Sequence, residues 1–309
     1  MVNMAVKIGS LTLQNPIMPG SGCCSDEIDR VYDVTQLGAF VPKSIEIVPR
    51  EGNPVPRVAE TPQGLLNSIG LPTYGLPYFL QHQLPVYLRF GIPIVVSVSA
   101  GTAEEFASIC RQVSLPGVAG IEINISCPNK EEGGRAFAMG ADSTLRVVKA
   151  IREATSKPIW AKLTPNTGDI AEVAVAAEAG GADALVVANT FLGMAIDTET
   201  FRPKLGNITG GLSGPAIKPI VVRMVYQCAQ AVRIPIIASG GIMNAADVVE
   251  YMAAGASAAQ VGTANFLDPA VMPKILSDLR KFCQDRGFGN VTELIGRTLR
   301  LEPATTLVA

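Results

Sequence analysis

The sequence predicts an α/β fold, a (β/α)8 TIM barrel, and three observations carry that expectation. Short apolar or β-branched runs alternate with longer segments of helical period, which is the pattern of repeated βα units. Eight such runs occur, and eight over roughly 250 residues suit a closed barrel better than an open sheet. The runs are apolar on both faces, as strands of a parallel sheet are when helices cover it.

In chain order, "AVKIGSLTLQNP" reads as an N-terminal hairpin able to plug the barrel bottom. Strands are expected at "PIMPG" (16–20), "AFVPKS" (39–44), "PIVVSVS" (93–99) and "GIEINIS" (120–126). The series continues with "PIWAKLT" (158–164), "ALVVANT" (184–190), "PIIASGG" (235–241) and "AAQVGTA" (258–264). Helices are expected at 102–114, 141–155, 168–180, 215–232, 244–254 and 269–286. Two long insertions, 45–91 and 191–213, follow the second and sixth strands and therefore leave the C-terminal face. Long loops inside a compact domain are usually functional. No linker, repeat or low-complexity segment divides the chain, so residues 1–309 are expected to form a single domain.

Apolar residues make up 48% of the chain and charged residues 17%, enough for a sizeable core and against disorder. The net charge is −2, from 25 basic and 27 acidic residues of scattered sign, without the basic footprint of a nucleic-acid binder. No apolar run reaches the length of a membrane span. The N-terminus lacks the apolar core of a signal peptide, so a soluble cytoplasmic protein is expected. The six cysteines, Cys23, Cys24, Cys110, Cys127, Cys228 and Cys283, form no CxxC pair, which argues against zinc and iron–sulfur ligation by this chain. Cys110 and Cys228 lie in helical apolar patterns and read as packing residues. The one histidine, His82, has no catalytic partner nearby in sequence.

Polar residues gather where the expected strands stop. They are Ser21 after the first, Lys43 at the second, Ser97 in the third, Asn124 at the fourth, Lys162 at the fifth and Asn189–Thr190 at the sixth. A lysine inside "FVPKSI" or "WAKLT" is costly if it points into an apolar core, so the two lysines mark a site at the C-terminal face. Gly240–Gly241 and Gly262–Thr263 follow the seventh and eighth strands. Glycines there let backbone N–H groups approach a phosphate at a helix start. "NITGGLSGPAIKP" adds Gly214, then Pro215 at the first turn of a helix that Ser213 could cap. The turn "NISCPN" sets the thiol of Cys127 between the amides of Asn124 and Asn129.

With these motifs in place the chain resembles the dihydroorotate dehydrogenases of class 1, most closely the 1B catalytic subunits. The resemblance runs almost end to end, and "LLNSIGL", "NISCPN" and "GGLSGPAIKP" are its specific parts. It implies an FMN-dependent oxidoreductase that converts (S)-dihydroorotate to orotate in de novo pyrimidine biosynthesis. Electrons would pass to NAD through a partner subunit carrying FAD and a 2Fe–2S cluster. The assembly implied is a homodimer of catalytic subunits, each with its partner, hence a heterotetramer. The resemblance makes Cys127 the general base. A free thiol of pKa ~8.5 is only a few per cent thiolate at pH 7, so the turn is expected to favour the charged form. Substrate would be held by Lys43, Asn67, Ile69, Gly70, Leu71, Asn124, Asn129, Asn189 and Thr190. The amides suit a ring bearing both carbonyls and N–H groups. FMN would contact Ser21, Lys43, Ser97, Asn124, Lys162, Gly214, Gly240, Gly241, Gly262 and Thr263, with no metal.

Two positions depart from the family pattern. Ser97 stands where asparagine is expected, and Thr73 where relatives often read asparagine. They leave room for a paralogue with altered substrate or a non-catalytic FMN-binding paralogue, and the shared cysteine keeps open a fumarate-linked 1A enzyme and a dihydropyrimidine dehydrogenase-type subunit. The "KEEGG" that follows "NISCPN" suggests a lid hinged at Gly133–Gly134.

Overall fold

In the computed structural model the described residues are 2–127, 133 and 136–301. The chain opens with an antiparallel hairpin, β1 (Val6–Ile8) and β2 (Leu11–Leu13), as the sequence predicts. Ile8 and Leu13 are fully buried, so the hairpin presents one apolar face to the body. A third strand, β3 (Ile17–Pro19), begins the main sheet.

Two more strands, β4 (Val58–Thr61) and β5 (Gly64–Asn67), lie in the first long insertion. The main sheet resumes with β6 (Ile94–Val98), β7 (Val118–Ile123), β8 (Ile159–Lys162) and β9 (Ala184–Val187). The second insertion holds β10 (Phe191–Met194) and β11 (Thr209–Ser213), and β12 (Ile236–Ser239) and β13 (Ala258–Val261) complete the set. Seven strands form one parallel sheet in the order β3-β13-β12-β9-β8-β7-β6. Seven of the eight expected strands are in it, each ending one to three residues before its expected end, and β7 starting two residues early at Val118.

The second expected strand, 39–44, is corrected. It forms no ladder, only isolated parallel bridges at Phe40↔Ile94 and Ile45↔Val98. Pro42 stands between them and has no N–H to donate, so a continuous ladder cannot form there. This segment still touches both edges of the sheet. Gly38 N–H donates to Ile17 O at 2.9 Å, and Phe40 N–H to Pro93 O at 2.9 Å.

The two insertions were expected as long loops, and that too is corrected. They combine into one antiparallel sheet of order β10-β11-β5-β4, with Gly211 opposite Asn67. Gly64, Gly193, Gly210 and Gly211 interrupt these strands, and glycine depresses the β signal that sequence reading relies on.

Helices Ala103–Val113, Ala141–Ala154, Ile170–Ala179 and Lys218–Ala231 pack side by side in chain order. Side-chain caps fix several starts: Thr102 Oγ1 accepts from Glu105 N, and Asp169 Oδ1 accepts from Ala171 N and Glu172 N. Asn244 and Asp247 form a capping box at Ala245–Ala253. Ser213 was expected to cap the next helix but does not. Its hydroxyl donates to Leu65 O, and Gly214 occupies the cap position.

Phe40 is fully buried, stacks on Tyr87 and meets Phe90 edge to face, with ring centroids 5.3 and 5.1 Å away. Replacing it by alanine is expected to lower unfolding free energy by about 3–5 kcal/mol in urea titrations followed by circular dichroism. A loss within the error of the titration would mean that this segment does not tie the sheet edges together.

Candidate functional site

Glu122 organises the inner face of the parallel sheet. It lies on β7 with no solvent exposure, where a carboxylate must be matched by donors. Ser97 on β6 supplies an O–H to Oε1 at 2.9 Å. Gln260 on β13 supplies an N–H to Oε2 at 2.6 Å. The ammonium of Lys162, at the end of β8, lies 3.8 Å from Oε1. Four strand spacings separate β13 from β7 in the sheet order, roughly 19 Å if the sheet were flat. A 2.6 Å bond across that gap requires the sheet to curl until its inner face meets itself.

From Glu122 the polar contacts run toward the C-terminal ends of the strands. Lys162 Nζ donates to Ser21 Oγ at 3.2 Å. The hydroxyls of Ser97 and Ser44 are 2.7 Å apart. Asn124 Nδ2 reaches Ser44 Oγ at 3.4 Å and Cys127 Sγ at 3.3 Å. Asn124 Oδ1 accepts from Ser126 Oγ at 2.5 Å and from Asn189 Nδ2 at 3.4 Å. Thr190 N–H is held by Asn189 Oδ1 at 2.8 Å. The series ends on the antiparallel sheet: a side chain at Gly211 would collide with Thr190 Oγ1, and Asn67 Nδ2 donates to Gly211 O at 3.2 Å.

A second group gathers where the glycines were expected. Thr263 Oγ1 donates to Ser213 Oγ at 2.9 Å. Gly214 and Gly241 both have positive φ, 97° and 67°, and a Cβ on Gly241 would lie 2.8 Å from Gly214 O. A Cβ on Gly262 would make an ordinary contact with Cys23 Sγ at 3.7 Å and meet nothing closer. Behind the loop, Tyr251 O–H donates to Gly240 O at 2.5 Å.

Most of the expected residues are thereby brought together: Ser21, Ser97, Asn124, Cys127, Lys162, Asn189, Thr190 and Asn67 in one series, and Gly214, Gly240, Gly241, Gly262 and Thr263 in the other. Lys43 is adjacent but separate. It makes no hydrogen bond or ion pair with the described residues, and its Cγ packs 3.6 Å from the Cβ position of Gly22. Burial, then the charge of Arg57, lower its pKa. Gly70 and Leu71 adopt positive φ, 77° and 51°, and Asn53 N–H donates to Ile69 O at 3.1 Å. Asn129 lies outside the described residues, as does most of the expected lid, 128–132 and 134–135. Thr73 forms an isolated antiparallel bridge with Arg50.

Glu122, Gln260, Ser44 and Ser126 were not foreseen. The signal for the first two was present: a charged or amide residue inside "GIEINIS" and "AAQVGTA" is as anomalous as the lysines that were noticed. The expectation that the turn favours a thiolate is not met on balance. Burial raises the Cys127 pKa above the ordinary thiol range, against the donor Asn124 and the charge of Lys162, which lower it. Cys23 and Cys24 are likewise pushed up, to about 11 and about 12, by burial. Cys110 and Cys228 are buried packing residues, and His82 is exposed against Tyr78. Among the described residues no group of three or more His, Cys, Asp or Glu is placed to hold a metal ion.

Fold and site define a class: an α/β protein whose thiol, amides and lysines converge at the C-terminal ends of a curled parallel sheet. The family model described as dihydroorotate dehydrogenase matches residues 3–283, and the chain belongs to that family. Curated relatives named dihydroorotate dehydrogenase B (NAD(+)), catalytic subunit, are similar over nearly their whole length. The one from Geobacillus kaustophilus is 48% identical over 301 residues, 96% of each chain. That from Desulforamulus reducens is 46% identical over 298 residues, covering 96% of this chain and 98% of its own. A Listeria monocytogenes relative is 45% identical over 297 residues, covering 95% and 98%.

Peptide-resolved alkylation of Cys127 with iodoacetamide, followed against pH, should give a midpoint above that of an exposed thiol. Asn124→Leu removes the donor and should move the midpoint further up. A wild-type midpoint below the ordinary thiol range would contradict the balance of burial over donors.

Proposed function

We propose that this chain oxidises (S)-dihydroorotate to orotate on bound FMN, as the catalytic subunit of an NAD-linked enzyme of de novo pyrimidine biosynthesis. The observation that carries the reading is the Cys127 thiol set against Asn124 and within one polar series with Lys162, in a chain of this family. The residues present fit FMN. The positive-φ glycines Gly214 and Gly241, the side-chain-free turn at Gly262 and the Thr263–Ser213 hydroxyl pair form a cradle suited to a phosphate. Gly240 belongs to the same phosphate loops, and Ser21, Lys43, Asn124 and Lys162 would hold the remainder of the cofactor. Ser97, expected as a contact, is fully buried with its hydroxyl between Glu122 and Ser44, so it stands behind that surface. When bound, FMN supplies the acceptor for the hydride that leaves substrate C6.

The chain's own residues do the rest. Cys127 takes the proton from substrate C5 as its thiolate. Asn67, Asn124, Asn129, Asn189 and Thr190 present donors and acceptors to a ring bearing carbonyls and N–H groups, and the backbone at Ile69, Gly70 and Leu71 borders it. Lys43, desolvated and without an acidic partner among the described residues, suits the substrate carboxylate. Lys162 carries positive charge to where negative charge grows during reaction.

The hydrogen bonds from Gly38 and Phe40 to the two sheet edges support a closed (β/α)8 barrel, and the chain is read as one domain. On the antiparallel sheet and its loops, Leu192, Met194, Ile196, Phe201 and Ile208 are exposed apolar side chains, which suits a homodimer interface. The NAD linkage calls for an electron-transfer partner with FAD and a 2Fe–2S cluster, giving a heterotetramer. All six cysteines are free, in keeping with a cytoplasmic setting. No described helix is long and apolar enough to cross a membrane.

Cys127→Ala should bind FMN with unchanged stoichiometry. Under anaerobic stopped flow its flavin reduction by dihydroorotate should slow by roughly 10²–10⁴-fold, the usual contribution of a general base. Reduction at the wild-type rate would remove Cys127 from the chemistry.

A further inference from the structure

We infer that Glu122 is the terminus of a one-way hydrogen-bond chain, through Ser97 and Ser44, that fixes which way the Asn124 amide faces the Cys127 thiol. This deepens the reading of Cys127 as base and rests on it for the kinetic consequence alone.

The direction follows from counting hydrogens. Glu122 is a double acceptor: Oε2 takes the Gln260 N–H, and Oε1 takes Ser97 O–H beside the Lys162 ammonium. A hydroxyl has one hydrogen. Ser97 gives its hydrogen to Glu122, so toward Ser44, 2.7 Å away, it can only accept. Ser44 therefore donates to Ser97 and has nothing left to give Asn124. Its lone pair faces Asn124, so the amide must turn its NH2 group that way, and Nδ2 lies 3.4 Å from Ser44 Oγ. The same NH2 group then donates to Cys127 Sγ at 3.3 Å.

Ser44, Ser97, Glu122 and Asn124 are all buried, with Ser97 and Glu122 fully so. Bulk water therefore supplies no ready substitute for a missing link. On the far side Ser126 and Asn189 hold Asn124 Oδ1, so the two sides agree on one amide orientation. Ser97, the residue that departs from the family pattern, is thus a link from the buried carboxylate to the thiol. Glu122, Ser97 and Ser44 are positioning residues: they act on Cys127 through Asn124.

Among the described residues the charged groups facing Cys127 are Lys162, Glu46 and Arg50, and none changes in Ser97→Ala. That variant removes the link to Glu122, leaves Ser44 free to turn its hydrogen toward Asn124, and weakens the amide's hold on the thiol. In FMN-loaded protein, peptide-resolved iodoacetamide alkylation of Cys127 should show its pH midpoint raised by roughly half a unit, about threefold slower labelling at neutral pH. Ser97→Thr keeps a hydroxyl and should restore the wild-type midpoint. Ser44→Ala cuts the chain one link nearer Asn124 and should raise the midpoint as well, which covers the case of a Ser97→Ala protein that fails to fold or to hold FMN. An unmoved midpoint in the alanine variants, or equal shifts in Ser97→Ala and Ser97→Thr, would overturn the inference. The pH profile of flavin reduction separates the two readings. If labelling shifts and that profile does not, the chain stands and the base assignment of Cys127 fails.

Discussion

A carboxylate buried without solvent at the heart of a parallel sheet is the constraint on which the rest depends. Leaving such a group unpaired costs several kcal/mol. Glu122 avoids that through Ser97, Gln260 and Lys162, and these come from three other strands. Strand register and sheet curvature must place all four together, because a one-residue slip would turn each side chain to the opposite face. The same arrangement carries Lys162 and Asn124 to the open end. Fold and site are therefore two consequences of one buried acceptor.

The Cys127 environment shows how opposing effects set a base. Burial raises the thiol pKa, and the low dielectric that does so also strengthens each donor and cation near it. The readiness of the thiol is therefore decided by few groups, Asn124 and Lys162 foremost. A motif such as "NISCPN" names the thiol but does not disclose that balance, since the hydroxyls orienting Asn124 come from distant parts of the chain.

Much of the fold was legible because the strands of the main sheet are dense apolar runs and the helices between them are periodic. The antiparallel sheet was not, since its glycine-interrupted strands resemble loops and find their pairing only across about 140 residues of chain, as between Asn67 and Gly211. Pro42 likewise hid the fact that 38–45 bridges two sheet edges without forming a ladder. In the site, Lys162 was found by asking why a charge stands in an apolar run. Glu122 in "GIEINIS" answers to the same question and was overlooked. Ser97 shows in the sequence only as a departure from the family pattern, whereas in the fold it is a hydrogen-bond donor to the buried carboxylate. Partnerships of that kind depend on the sheet closing on itself, which no local pattern states.

The central claim, a thiol-based dihydroorotate oxidation at this site, is tested most directly by substrate choice at the flavin. FMN-loaded protein would be mixed anaerobically with dihydroorotate and, separately, with dihydrouracil, which lacks the carboxylate assigned to Lys43. The account predicts rapid bleaching of the flavin absorbance by dihydroorotate and an essentially oxidised spectrum with dihydrouracil. Bleaching by dihydrouracil with none by dihydroorotate would contradict it.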